Sequence, residues 1–150
     1  ILKALGKNPA SPRLADMDGT EDGALSQRRG TRVLLVEDNE INQEVASSLM
    51  ERMGMSVTLA ENGLNAVNAC KAKTFDIIFM DIQMPVMNGY EATRAIRALP
   101  DAEKAALPIV AITANAFDED RRNALESGMN GFLSKPIVIG DLVKELRKLL

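Results

Sequence analysis

"DIIFMDIQMPVMNGYEATRAIR", residues 76–97, places one acid, Asp81, at the end of an apolar run and follows it with a proline, a glycine and a helical pattern. The run "DIIFM" is continuously apolar after its first residue, as expected of a strand buried on both faces. Pro85 and Asn88-Gly89 mark a turn. Tyr90, Thr93, Ile96 and Arg97 then recur in period on a helix of about 89–98. A strand, a short turn and a helix form part of a βαβ unit. A carboxylate at such a strand end either caps the turn or supplies a negative charge needed there.

The same pattern repeats on both sides. "RVLLV" (32–36), "SVTLA" (56–60), "PIVAIT" (108–113) and "GFLSK" (131–135) read as further strands. After the first, Ile41, Val45, Leu49 and Met53 recur every four residues and predict an apolar stripe on a helix. Asn39 is its expected N-cap and Gly54 its stop. A second helix is expected over 62–73, with Leu64, Val67 and Cys70 or Ala69 inward. A fourth spans 118–128, with acids near its positive end and Gly128 as its stop. A fifth spans 139–150, with Leu142, Leu146 and Leu149 inward. Five strands alternating with five helices predict right-handed crossovers and a doubly wound parallel sheet. Residues 1–30 are rich in Gly, Pro, Ser and Asp and read as a linker or disordered tail, with "ILKAL" as a short helical end or the last turn of an upstream helix. The domain therefore occupies 31–150, and a chain starting with Ile is expected to be a piece of something longer.

In an open parallel sheet the functional crevice lies beyond the carboxyl ends of the strands. Strand one ends in Glu37-Asp38, strand three in Asp81, strand four in Thr113 and strand five in Ser134-Lys135. If strands one and three are neighbours, three carboxylates share one crevice, where their repulsion would push one pKa up. A hard divalent cation relieves this, and carboxylates, a carbonyl and waters suit Mg²⁺. A carboxylate nucleophile with a metal, an ammonium and a hydroxyl beside it is the equipment of phosphoryl transfer. Each residue alone has a plainer reading, as a cap, a first-turn acid or a surface charge. Five of them at the correct ends of four strands make coincidence a poor account.

Composition narrows the classes. The chain of 150 residues has a formal net charge of −3 and no basic cluster, which argues against direct nucleic-acid binding. No apolar run reaches the roughly 20 residues that span a bilayer, so no direct membrane contact is expected. There is no histidine, which removes His-based dyads, His metal ligands and an internal phosphohistidine. The single Cys70 reads as a buried inert thiol.

The stretches "VLLVEDNEINQEV", "MDIQMPVMNGYEATRAIR", "PIVAITANAF" and "GMNGFLSKPI" resemble the receiver domain of two-component response regulators, most like those of hybrid sensor histidine kinases. The resemblance runs in order through residues 31–150. It implies a flavodoxin-like sheet in the order 2-1-3-4-5. It also implies that Asp81 is the phosphoacceptor, and that Asp38, Asp81 and the Gln83 backbone carbonyl ligate Mg²⁺ (with Mn²⁺ as a substitute), Glu37 acting mostly through water. Thr113 would bind a phosphoryl oxygen, Lys135 would pair with the phosphoryl group, and Phe132 would be the aromatic that moves with Thr113. The Lys135–Pro136 bond would be cis. Gln83 and Asn115 would tune the phosphoryl lifetime. Asn88 stands where Asp is common but keeps the turn chemistry. Phe132 lacks the hydroxyl of a Tyr found in some members.

The implied function is a cytoplasmic phosphorelay module, not an enzyme in the usual sense, with self-catalysed phosphotransfer and dephosphorylation. Phosphate would come from a histidine kinase or histidine phosphotransfer domain, and would switch the surface of the fourth helix, fifth strand and fifth helix. The parent would be a hybrid sensor kinase. With no output domain after the last helix, the expected outlets are relay to a histidine phosphotransfer domain or regulation of an attached kinase, and a stand-alone regulator acting by docking is the alternative. A Mg²⁺ phosphohydrolase would want an acid at position 83, where Gln stands. A flavin module would want a Ser/Thr/Gly-rich loop where "EDNE" stands. A degenerate docking receiver would not need the complete site.

Overall fold

The computed structural model describes residues 30–114 and 118–150. Five strands pair in parallel: β1 (Arg32–Val36), β2 (Ser56–Ala60), β3 (Ile77–Asp81), β4 (Ile109–Thr113) and β5 (Gly131–Ser134). Their order is β2-β1-β3-β4-β5, as expected, so β1 and β3 are parallel neighbours and the order of strand addition reverses between them. Such a reversal opens a crevice at the carboxyl ends of those two strands.

Six helices occur among the described residues, one more than expected: α1 (Glu40–Arg52), α2 (Gly63–Ala72), α3 (Gly89–Arg97), α4 (Ala102–Ala105), α5 (Asp118–Ser127) and α6 (Ile139–Leu149). The extra helix, α4, has four residues, too few to display an apolar period. It is capped by Asp101, whose side chain accepts from Glu103 and Lys104 N–H. The proposed tail is, apart from Gly30, outside the described residues, as is Asn115.

Strand alternation sorts the core into two layers. Val33, Leu35, Ile77, Phe79, Val110 and Ile112 face α1 and α6. Leu34, Val36, Ile78, Met80, Ile109 and Ala111 face α2, α3 and α5. β3 and β4 are buried throughout, which is why their sequences are apolar without alternation. Cys70 is buried in the second layer, and burial pushes its thiol up to about 11, which keeps it protonated and inert.

Two expectations about helix faces are corrected. Ile41 and Val45 are 72% and 56% exposed, and α1 buries Ala46 and Met50 instead, followed by Met53. A strict four-residue repeat advances about 40° per step around a helix with 3.6 residues per turn. Ile41 and Met53 therefore cannot share a face. Leu64 is also exposed, while Ala66, Val67 and Cys70 fill the α2 contact. In α6 Leu142 and Leu146 are buried, with Leu149 packed at the margin.

Caps and stops follow the sequence more closely. Asn39 Oδ1 accepts from Asn42 N–H at 3.1 Å. Gly54 and Gly128 have φ of 85° and 108°, the left-handed conformation that ends a helix. Asn88 and Glu91 form a reciprocal capping box at the start of α3, with bonds of 2.9 and 3.0 Å.

Arg97, at the end of α3, knots the far side of the sheet. Its guanidinium donates to the carbonyls of Ala105 (2.8 Å), Leu107 (2.7 Å) and Gly128 (2.7 and 3.0 Å), and to Asn130 Oδ1 (2.7 Å). Asn130 Oδ1 also accepts from Ile109 N–H, and Asn130 N–H donates to Ile109 O. One side chain thus fixes α4, the start of β4 and the turn into β5.

Candidate functional site

The site is assembled from the residues that end β1, β3, β4 and β5. The β1 ladder continues one step beyond Val36, with Glu37 N–H donating to Ala60 O at 3.0 Å. Glu37 is therefore held inward and is 3% exposed, while Asp38 turns out to the rim. Asn39 N–H donates to Glu37 Oε2 at 3.2 Å, and Gln43 Nε2 to the Glu37 carbonyl at 2.6 Å. Asp81, the last residue of β3, is 4% exposed.

The loop after Asp81 is folded tightly against it. Gly89 N–H donates to Ile82 O at 2.9 Å, and a Cβ at position 89 would collide with the Asp81 carbonyl oxygen. Gly63 N–H donates to Met87 O at 3.1 Å and pins the same loop from α2. Met87 N–H donates to Pro85 O across Val86, whose φ is +71°. A three-residue turn with a β-branched residue in the left-handed region is strained.

Oxygens of Glu37, Asp38 and Asp81 lie within 4.8 Å of one another. Lys135 reaches across from the end of β5. Its Nζ lies 2.8 Å from Glu37 Oε1 and 3.1 Å from Asp81 Oδ2. Its backbone is set by Lys135 N–H donating to Thr113 O at 2.8 Å, and the Lys135–Pro136 bond is cis. Thr113 is buried at the end of β4, one strand from Asp81. The sheet therefore brings Glu37, Asp38, Asp81 and Lys135 into contact, with Thr113 on the adjoining strand end.

Three carboxylates converge on the cleft and one ammonium pairs with two of them, so the charge is unevenly tolerated. Burial and the nearby Glu37 charge push Asp81 up to about 6, against the opposing pull of Lys135. Burial also works against Glu37, but the Lys135 ammonium and the Asn39 N–H more than offset it and hold that carboxyl below its usual range. Lys135 loses solvation too, yet its two carboxylate partners raise its pKa. The cleft has carboxylate oxygens in excess of positive charge, a donor set that fits a hard divalent cation.

A family model described as "Response regulator receiver domain" matches residues 33–147. The chain belongs to the receiver-domain family of two-component phosphorelays. It is 46% identical over 110 residues to the sensor protein GacS of Pseudomonas syringae pv. syringae, a match covering 73% of this chain and 12% of that protein. The chain thus spans about an eighth of that relative's length. Its fold matches the receiver domain of sensor histidine kinase PA1611 from Pseudomonas aeruginosa PAO1, solved with magnesium coordinated in its active-site cleft. That receiver is 42% identical, with a TM-score of 0.74, over 80% of this chain and 97% of the other. The receiver domain of Saccharomyces cerevisiae Ssk1, solved with the histidine phosphotransfer protein Ypd1, is 37% identical, with a TM-score of 0.72 over 81% of this chain and 89% of that one. The relatives of this chain include hybrid histidine kinases.

Several structural contributors carry no sequence signal of their own. Arg97 stands in the sequence only as a member of the α3 periodic set, and its five donors find carbonyls contributed by segments up to 33 residues away. Val86 is β-branched, a residue type that gives no sign of the left-handed conformation it adopts. Gly89 was legible as part of a turn, but its closeness to the Asp81 carbonyl depends on how the loop folds back. Among the described residues no helix is long and apolar enough to cross a membrane.

Proposed function

We propose that this domain accepts a phosphoryl group on Asp81 from a phosphohistidine on another domain. The observation that carries this reading is the convergence of Glu37, Asp38 and Asp81 with Lys135 bridging two of them. In the transfer an Asp81 carboxylate oxygen forms a bond to phosphorus as the phosphorus–nitrogen bond breaks, and the electron pair returns to the imidazole. Asp38, Asp81 and the Gln83 carbonyl would hold Mg²⁺, with Glu37 acting through water. The cation supplies neutralisation of the phosphoryl oxygens. Lys135, already on Asp81, pairs with the incoming group, and Thr113 offers a hydroxyl. The two carboxylates that hold Lys135 keep it charged and aimed at the acceptor.

The acyl phosphate brings a charge of about −1.5 to −2 and new acceptor oxygens. Thr113 then draws toward it, Phe132 turns into the space, and the face formed by α5, β5 and α6 changes packing. The same chemistry run backwards passes the group to a histidine phosphotransfer domain; in hydrolysis water attacks phosphorus instead, releasing inorganic phosphate and the Asp81 carboxylate, so the domain is a relay and not an enzyme with a separate substrate. The parent is a hybrid sensor kinase in this reading.

The donor must seat its histidine at the cleft, and one surface suits it. Exposed Val45 and Val138 line one apolar groove with Leu49 and Ile137, and exposed Ile41 lies one helical turn before Val45. A groove lined by Val45, Pro136 and Ile137 runs on to Glu37 and Lys135. The phosphotransfer protein in the Ssk1 complex supports a partner of this kind. The test is exposure to acetyl phosphate with Mg²⁺, followed by intact mass. A gain of one phosphoryl group in the native chain and none in Asp81→Asn is expected. An equal gain in both refutes the acceptor assignment.

A further inference from the structure

Phe132 and Thr113 share one face of the sheet. In the β4–β5 register Ala111 pairs with Phe132, and Thr113 with Ser134. Phe132 packs against the layer that contains Ala111, and alternation along β4 puts Thr113 on that same face. The residue beside the ring is thus the smallest side chain of β4, and Thr113 is the next on that face toward the phosphoacceptor. The outer face of the ring is covered differently. The guanidinium carbon of Arg121, on α5, lies 4.8 Å from the Phe132 centroid, within cation–π range. Arg121 is otherwise exposed, and among the described residues no carboxylate forms an ion pair with it. A cavity of about 220 Å³ opens beside the pair, lined also by Ala124, Leu125, Gly131 and Glu145.

We propose that Arg121 is a cation–π latch that holds Phe132 outward and thereby sets the balance between the resting and phosphorylated packings. This rests on the phosphoacceptor reading, because only there does the ring move inward. The contact exists in one packing and is lost in the other, and only such a differential contact can bias an equilibrium. Movement of the ring toward Thr113 withdraws its face from the guanidinium. A cation–π pair of this exposure shifts the resting-to-switched ratio by about two- to fivefold. By linkage, any ligand that selects the switched packing binds more weakly by the same factor while the latch is intact. The latch also couples β5 to α5, so its release frees α5 on the face that changes.

The test uses beryllofluoride with saturating Mg²⁺ as the phosphoryl mimic on the full chain labelled with 4-fluorophenylalanine. The chain has four Phe, so the fluorine spectrum is simple, and Phe132→Leu identifies the resonance. Arg121→Ala is expected to bind beryllofluoride about two- to fivefold more tightly, and to move the unliganded Phe132 resonance toward its liganded position. Arg121→Lys, which keeps a cation on a flexible stem, is expected to fall between the two. Matching thermal melts exclude a folding defect. If the native chain binds beryllofluoride and Arg121→Ala changes neither affinity nor resonance, the latch is refuted while the acceptor site stands. If the native chain binds none, the phosphoacceptor reading fails and the latch fails with it.

Discussion

Replacing Asp81 by Asn should stabilise the metal-free protein, and the size of the effect follows from the acid cluster. Asp81 is 4% exposed and faces Glu37, and its pKa is pushed from 3.8 to about 6. The folded state therefore holds this proton at pH values where the unfolded chain has released it. Stability from this group is greatest below the unfolded pKa and declines as pH rises through the window from about 4 to 6. Above that window the folded protein carries a cost of up to about 3 kcal/mol, from two pKa units at 1.36 kcal/mol each. Asn has no proton to lose and mimics the neutral acid. Asp81→Asn should thus gain up to about 3 kcal/mol at pH 7.5 in EDTA and about half of that at pH 5. Mg²⁺ should cancel most of that gain, because a ligand present at a hundred times its Kd stabilises by about 2.7 kcal/mol only the protein that retains the site. Urea unfolding at the two pH values, with and without Mg²⁺, measures all of this. A variant no more stable than the native chain at pH 7.5 in EDTA, or a gain that ignores pH, would refute the charge-frustration argument.

Three further outcomes follow from the geometry. Gly89→Ala forces a Cβ against the Asp81 carbonyl and should cost about 1–3 kcal/mol, with Mg²⁺ affinity by calorimetry falling as the loop is displaced. Arg97→Lys keeps the charge but loses the fork that binds four acceptors, so thermal unfolding should show a loss of about 2–3 kcal/mol while phosphorylation by acetyl phosphate persists. The double substitution Ile41→Asp, Val45→Asp should leave stability within about 0.5 kcal/mol, because both side chains are exposed. It should nevertheless slow phosphotransfer from a phosphohistidine domain at least about tenfold, the equivalent of 1.4 kcal/mol of lost docking, with acetyl phosphate labelling unchanged.

The strands were readable in the sequence because each rests on short-range signals, whereas their order β2-β1-β3-β4-β5 was implied by the family resemblance. Four-to-six-residue apolar runs separated by turn residues name the strands, and β3 is apolar without alternation because both of its faces are covered. The acids were readable for the same reason: a residue at a strand end in a parallel sheet has its location fixed by topology, without knowledge of packing. Helix faces were less legible. Spacing at four residues matches both a core stripe and a drifting one, and in α1 the small Ala46 lies inward while Ile41 and Val45 lie outward. Hydrophobicity alone pointed to the larger side chains. What burial cannot explain in Ile41 and Val45 becomes intelligible under the proposed phosphotransfer: apolar side chains left exposed near the acidic cleft are a cost to solubility unless a partner covers them. The misread stripe and the proposed docking face are therefore one observation. A helix required both to pack on the sheet and to receive another protein presents apolar residues over a wider arc than packing needs, and a reading that assigns every apolar residue to the core will misplace the ones that face the partner.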